Sequence, residues 1–374
     1  MVWSLITDGT SEPCPELASL KPWRASSNGD TRSFLVYIPK GLCEYDQRAR
    51  TDRIRLRIIL ALHGYSGRPL QELRKWGGVA DELEAVIVAP EGKADGKRNK
   101  GWNAIDCCIG DDIVTTEDDV DFVTSAVDLA VKKLRVLPVF LPTSESVIAT
   151  GFSNGGFLTS LLALSDNRPK WLVGAVPTGG YQYDPGLYRA AASLPVMAHH
   201  GGADSVVRPT GCCRSGGTGG GSNCPFDIGI KRDECTSVRS AFELWAEANG
   251  CGPTPQRGGE EELYSKLVGV DCDASTELYV WTAAGHNWGA TFPGADVARE
   301  WMSSVFVHAE IEIEKAPSSE TLPPSPVHGT SGRKSFSYTV GLMGLVAVSV
   351  AFVRYRGKVS KRKNSDEVQM AAIL

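Results

Sequence analysis

The sequence predicts an α/β domain, with a mostly parallel central sheet flanked by helices, a Gly/Cys-rich insertion and a C-terminal transmembrane helix. Three observations predict it. Short β-branched runs alternate with helical patterns along most of the chain. The pentapeptide Gly151-Phe152-Ser153-Asn154-Gly155 stands between one such run and one such helix. From Ser335 to Val353 the chain carries no charge, which is long enough to span a hydrocarbon core. The boundaries read from these features are an N-terminal segment at 1–30 and an α/β domain at 31–308. A Pro/Ser/Thr-rich stalk at 309–334, the transmembrane helix at 335–353 and a basic tail at 354–374 follow.

Taken in order, Arg32 to Pro39 alternates like a strand, and Ile54 to Leu62 is a second, more buried one that ends in the turn-rich His63-Gly64-Tyr65-Ser66-Gly67. Glu84 to Pro90 is a third. Val120, Val123, Val127 and Val131 recur one helical turn apart between Glu117 and Leu134. That spacing predicts an amphipathic helix, capped by Thr115 or Thr116 with acidic residues in its first turn. Ser146 to Thr150 is the strand before Ser153, and Gly156 to Leu164 the buried helix after it. Leu172 to Pro177, Pro195 to His200 and Glu277 to Thr282 read as further strands, with a helix from about Ser237 to Ala248. Right-handed crossovers bring the C-terminal ends of such strands to one rim, where ligands bind.

Residues 211–235 break the pattern. They hold Cys212, Cys213, Cys224 and Cys235 among repeated glycines, too few apolar groups to pack without staples. The segment is either a surface excursion held by disulfides or a lid over the substrate. The chain has ten cysteines, none in a Cys-x-x-Cys pair, which favours disulfides over a metal site. With 39 basic against 44 acidic residues the chain has a net charge of −5, and nothing calls for nucleic acid.

Arg354, Arg356, Lys358, Lys361, Arg362 and Lys363 follow the apolar segment, whereas only Arg333 and Lys334 precede it closely. The positive-inside bias puts the tail in the cytoplasm and the large domain outside or in a lumen. The first residues, Met1 to Thr7, do not read as a signal peptide. Either the start is truncated or the protein is tail-anchored with its domain in the cytosol; the cysteines favour the extracellular or lumenal placement.

A Gly-x-Ser-x-Gly between strand and helix makes a strained turn that lifts the serine hydroxyl out of the sheet. A serine needs a base to take its proton and an acid behind that base. In the chain order Ser…Asp/Glu…His, the downstream strand ends offer Asp204, after Pro195 to His200, and His286, after the strand ending at Thr282. The oxyanion of an acyl-transfer intermediate would be met by the backbone N–H groups of Asn154 and Tyr65. His199 and His200 end a strand, where packing is their expected role. Trp102 and Trp288 are either an aromatic wall for an acyl group or core tryptophans.

The chain resembles the secreted polyhydroxybutyrate depolymerase and feruloyl/acetylxylan esterase family of α/β-hydrolases. The resemblance rests on Arg32 to Pro39, Leu62-His63-Gly64, Gly101-Trp102-Asn103-Ala104 with Cys107-Cys108, and Asp118-Asp119-Val120-Asp121-Phe122. It continues through Gly151 to Gly156, Asp204 beside His200-Gly201, Asn249-Gly250-Cys251 and Gly285-His286-Asn287-Trp288, in order, over about residues 31 to 308. It implies an α/β-hydrolase fold, a Ser-His-Asp esterase with no metal or organic cofactor, and a Cys251–Cys272 disulfide. The insertion at 211–235 and the membrane anchor depart from that pattern.

The function expected is hydrolysis of carboxylic esters through an acyl-enzyme. Its substrates would be feruloyl or acetyl esters of polysaccharide, or short hydroxyalkanoate esters, and the chain would meet the membrane through its single C-terminal helix. A serine peptidase of the prolyl-oligopeptidase kind and a catalytically silent surface binding module are the rivals.

Overall fold

A computed structural model of the chain describes residues 22–43, 54–95, 97–105, 107–108, 115–135, 140–211, 236–252, 256–261, 263–287 and 294–315. The insertion from 212 to 235, Trp288, the chain beyond Lys315 with the expected transmembrane helix, and the basic tail lie outside these residues. Among the described residues no helix is long and apolar enough to cross a membrane.

Twelve strands and seven helices are described. The first hairpin is β1 (Trp23–Ser27) and β2 (Asp30–Tyr37), followed by α1 (Lys40–Cys43), β3 (Ile54–Leu62), α2 (Pro69–Leu83) and β4 (Val86–Pro90). A small ribbon, β5 (Lys93–Ala94) with β6 (Lys100–Gly101), precedes α3 (Thr116–Leu134), β7 (Phe140–Phe152), α4 (Asn154–Leu164), β8 (Leu172–Thr178) and α5 (Pro185–Ala190). The remainder is β9 (Val196–Gly201), α6 (Val238–Ala248), β10 (Gln256–Glu261), β11 (Tyr264–Val268), β12 (Thr276–Trp281) and α7 (Gly294–Lys315).

Ten strands form one sheet in the order β1-β2-β4-β3-β7-β8-β9-β12-β11-β10. The middle six, from β4 to β12, pair in parallel. An antiparallel ribbon closes each edge. The parallel strands are buried on both faces, so their sequences read as continuous apolar runs. The period of two survives in what each side chain meets. Ile58, Leu60 and Leu62 of β3 join one core with Phe122, Phe157 and Trp245. Ile59 and Ala61 join the other with Trp76 of α2 and Trp301 of α7.

Local chemistry explains the helix ends. Thr115 caps α3: its hydroxyl accepts from Asp118 N at 3.2 Å, and Asp118 Oδ2 accepts from Thr115 N at 3.0 Å. The hydroxyl of Ser237 caps α6, accepting from Ser240 N at 3.0 Å. All eleven residues of α4 are buried, so this helix has no polar face to present.

The domain is wider than the sequence boundaries placed it. Strand β1 lies inside the expected N-terminal segment, because the Asn28-Gly29 turn, with both residues at positive φ, folds it back onto β2. Helix α7 continues to Lys315, past the expected end at 308. Arg57 of β3 holds it there with Nε 2.8 Å from Glu310 Oε1. Cys251 and Cys272 are bonded to each other, as are Cys107 and Cys108. Beside the first pair, buried Asn249 donates through Nδ2 to Leu194 O and Thr276 Oγ1, both at 2.8 Å. This ties the end of α6 to the starts of β9 and β12.

Candidate active site

Chain order reverses beside β3. From β3 the chain goes to β4 on one side, then to β7 on the other, and continues outward through β8, β9 and β12. The crevice at such a reversal lies between the C-terminal ends of β3 and β7, where Leu62 pairs with Gly151. His63-Gly64-Tyr65 leaves one lip of it and Ser153 the other.

Ser153 joins β7 directly to α4 at φ 55°, ψ −121°, a conformation that costs about 1–3 kcal/mol and has to be held in place. The glycines hold it by absence. A Cβ on Gly151 would lie 2.3 Å from Gly155 O, and one on Gly155 would lie 2.1 Å from Leu62 O. Only chains without side chains at those two positions pass so closely. Ser153 N donates to Thr178 O at 2.9 Å, fixing the turn against β8.

His286 and Asp204 arrive from the ends of β12 and β9. The two loops are stitched together by Gly202 N to Trp281 O at 2.8 Å and Ala203 N to Ala284 O at 3.0 Å. His286 Nε2 lies 2.8 Å from Ser153 Oγ, and His286 Nδ1 lies 2.7 Å from Asp204 Oδ2. The other carboxylate oxygen of Asp204 accepts from Val206 N at 2.8 Å and Val207 N at 2.9 Å. Both oxygens of this buried acid are therefore engaged, and it is oriented toward the imidazole before any substrate arrives.

The other lip is organised around His63, which is fully buried. Its Nε2 accepts from Gly92 N at 2.9 Å, so the proton sits on Nδ1, 2.7 Å from Gly64 O. Gly67 N donates to the same carbonyl at 2.8 Å. A trans peptide points its N–H opposite its C=O, so pinning Gly64 O also fixes the direction of the Tyr65 N–H. Burial lowers the His63 pKa to about 4, keeping it neutral as this arrangement requires. Gly64 is close to Ser153, since a Cβ there would stand 3.4 Å from Ser153 Cβ. The Tyr65 hydroxyl bonds to Asp95 and accepts from Asn99 Nδ2 at 3.0 Å. That hydroxyl is the chief reason the Asp95 carboxyl is held down at about 2.

Strand order, elbow and the sequence Ser…Asp…His make this an α/β-hydrolase-like fold. No known family profile matches the sequence, and no curated protein matches it. Solved structures do resemble it. An acetyl xylan esterase from Aspergillus awamori is 13% identical with a TM-score of 0.48, covering 75% of this chain and 98% of its own. An S-formylglutathione hydrolase from Staphylococcus aureus is 12% identical at 0.43, covering 76% and 96%. The esterase PE8 is 17% identical at 0.40, covering 67% and 93%. Strand order and register define the fold independently of these likenesses.

The structure brings together Ser153, His286 and Asp204, with Gly64-Tyr65 and Asn154 alongside. Trp102 is corrected: its side chain has 0% exposure, so it offers no wall to a substrate. It is a core bracket instead. Its Nε1 donates to His63 O at 2.8 Å, and its backbone N donates to Asn154 Oδ1 at 2.7 Å. Asn154 Nδ2 returns a bond to Trp102 O at 2.9 Å. The Asn154 side chain thus braces the elbow, while its N–H, first in α4, has no carbonyl one turn earlier to bond. His199 and His200 are buried and held neutral by desolvation, the former to about 3. His200 Nε2 donates to Val207 O at 2.8 Å, supporting the turn that carries Asp204.

Two residues near the site escaped the sequence reading. Ile105 is 43% exposed at φ 62°, in the loop whose Cys107 carbonyl accepts from Asn154 Nδ2 at 3.2 Å. Phe152 packs its ring against the His286 imidazole, with centroids 5.0 Å apart. The one signal for Phe152 was its place beside Ser153 in the pentapeptide. Among the described residues no group of His, Cys, Asp or Glu has the arrangement of a metal site.

Proposed function

We propose that the protein is a serine hydrolase acting on carboxylic esters, with Ser153 as nucleophile, His286 as general base and acid, and Asp204 as its orienting acid. One observation carries this: His286 lies 2.8 Å from Ser153 Oγ and 2.7 Å from Asp204 Oδ2, so one imidazole faces both partners through different nitrogens. In this reading Ser153 Oγ bonds to the ester carbonyl carbon while its proton passes to His286 Nε2. The carbonyl electron pair moves to oxygen, where the N–H groups of Tyr65 and Asn154 receive it. His286 then gives the proton to the departing alcohol, and water, activated in the same way, releases the acyl group.

The finer reading is an enzyme of the polyhydroxybutyrate depolymerase and feruloyl esterase kind, taking feruloyl or acetyl esters on polysaccharide or short hydroxyalkanoate esters. It rests on the sequence resemblance. We further propose that the domain works outside the cytoplasm, tethered through the segment 335–353; the Cys251–Cys272 bond supports an oxidising compartment.

The test is a panel of acetyl, feruloyl, hydroxybutyryl and peptide substrates, with Ser153→Ala as control and a fluorophosphonate probe for the nucleophile. Ester turnover lost in Ser153→Ala, by a factor on the order of 10⁶ in kcat, is expected. Turnover of peptides alone would replace the ester reading, and no labelling of Ser153 in folded protein would end the hydrolase reading.

A further inference from the structure

His286 is held at Nδ1 by Asp204 and at Nε2 by Ser153. Together with the covalent tether at Cγ these bonds restrain the ring, and Phe152 adds a packing contact to it. Its ring lies 5.0 Å from the imidazole, the planes inclined by 34°. Gly179 leaves space for that ring: a Cβ there would meet Phe152 Cε2 at 3.1 Å. The same Cβ on Gly179 would lie 3.9 Å from Asp204 Oδ2, so one glycine abuts both the ring and the carboxylate.

We infer that Phe152 is a positioning residue that fixes the tilt of His286 and stabilises the imidazolium formed when Ser153 gives up its proton; this rests on the hydrolase reading above. An aromatic face attracts a cation, and His286 is a cation only after proton transfer. The contact is therefore stronger in the transition state than with free enzyme, and its loss is read in kcat more than in KM. Other charges stand around the pair. Asp204 is bonded to the imidazole, and buried His200, held neutral by desolvation, lies 3.8 Å from Asp204 Oδ2. Lys75 has its Nζ 5.4 Å from the Phe152 ring centroid and 2.9 Å from Glu72 Oε1. This ammonium, paired with Glu72, is a standing charge on the same ring, present before and after proton transfer.

The experiment places phenylalanines carrying one, two or three ring fluorines at position 152, with Phe152→Leu and Phe152→Tyr alongside. Melting temperatures check folding; fluorine keeps the ring's shape while draining charge from its face. A stepwise fall of kcat with each fluorine at constant KM is expected. Phe152→Leu should lose roughly 5- to 30-fold in kcat, and Phe152→Tyr should keep most of it. A kcat that ignores fluorination would overturn the electrostatic role, and Phe152→Leu with native kcat would overturn the positioning role too. Fluorophosphonate labelling of Ser153 separates the two readings. With no labelling of the unmodified protein the hydrolase reading falls, whereas labelling with indifference to position 152 defeats only this inference.

Discussion

Ser153 and His286 meet from regions built in opposite ways. The elbow is held by backbone pressed on backbone: Gly151, Gly155 and Gly156 would each drive a Cβ to within 2.6 Å of a carbonyl oxygen. The histidine side is held by polar contacts between loops, through Asp204, the Val206 and Val207 amides and the stitches from Gly202 and Ala203. Steric exclusion fixes Ser153 with a handful of neighbouring residues. Hydrogen bonding fixes His286 with residues scattered along the chain. The first should fail abruptly when changed, the second by degrees.

The largest effect is expected at the elbow. Gly155→Ala places a methyl 2.1 Å from Leu62 O, so β3 and α4 must separate. Ester turnover and fluorophosphonate labelling should both vanish, with a stability loss of roughly 1–3 kcal/mol by denaturant titration. A variant that labelled at the native rate would break the contrast.

Next comes the polar side. Asp204→Asn can still accept from Val206 and Val207 but offers His286 a donor, favouring the wrong tautomer. A fall of about 10⁴ in kcat with nearly native melting is expected. A melting temperature that collapsed with activity would mean the polar side is as brittle as the elbow.

Away from both, Cys251→Ala with Cys272→Ala opens a link spanning 21 residues of sequence. It should lower stability by about 2–4 kcal/mol while leaving kcat unchanged below the melting transition. A change in kcat at that distance would show that the loops of His286 and Asp204 lean on it.

The smallest effect per increment is one of pH. Burial lowers the pKa values of His63 to about 4 and His199 to about 3, against 6.5 when exposed. Between those limits the unfolded chain binds more protons than the folded one, so stability rises with pH and is lost as pH falls from 6.5. Each histidine should contribute a slope of about 1.4 kcal/mol per pH unit within its window. His199→Phe should flatten the slope measured by melting between pH 6.5 and 4; an unchanged slope would contradict it.

The contrast also explains what could be read from the sequence. The elbow was legible because its geometry is written in adjacent residues, and the core strands because β-branched runs mark them. Asp204 and His286 could be named only as acid and base candidates at strand ends, since nothing local states that two loops will be stitched together. Helix α2 went unread because Gly77 and Gly78 interrupt it, although Leu73, Trp76, Val79 and Leu83 share its buried side. Strand β1, Trp-Arg-Ala-Ser-Ser, is an edge strand with little apolar signal. Trp102 misled for a physical reason. An aromatic with a polar tip suits a pocket wall or a buried bracket equally, and only the acceptor at His63 O decides between them.

The bond between Ser153 and His286 spans 133 positions of sequence, and that between Asp204 and His286 spans 82. Contacts so distant cost loop-closure entropy before they are rewarded. The His286 imidazole reaches its place only once β12 has docked beside β9. Until then the serine is an unactivated alcohol on a glycine turn. On the proposed reading a reactive centre exists only in the assembled domain, and a chain in which β12 has not paired with β9 lacks one.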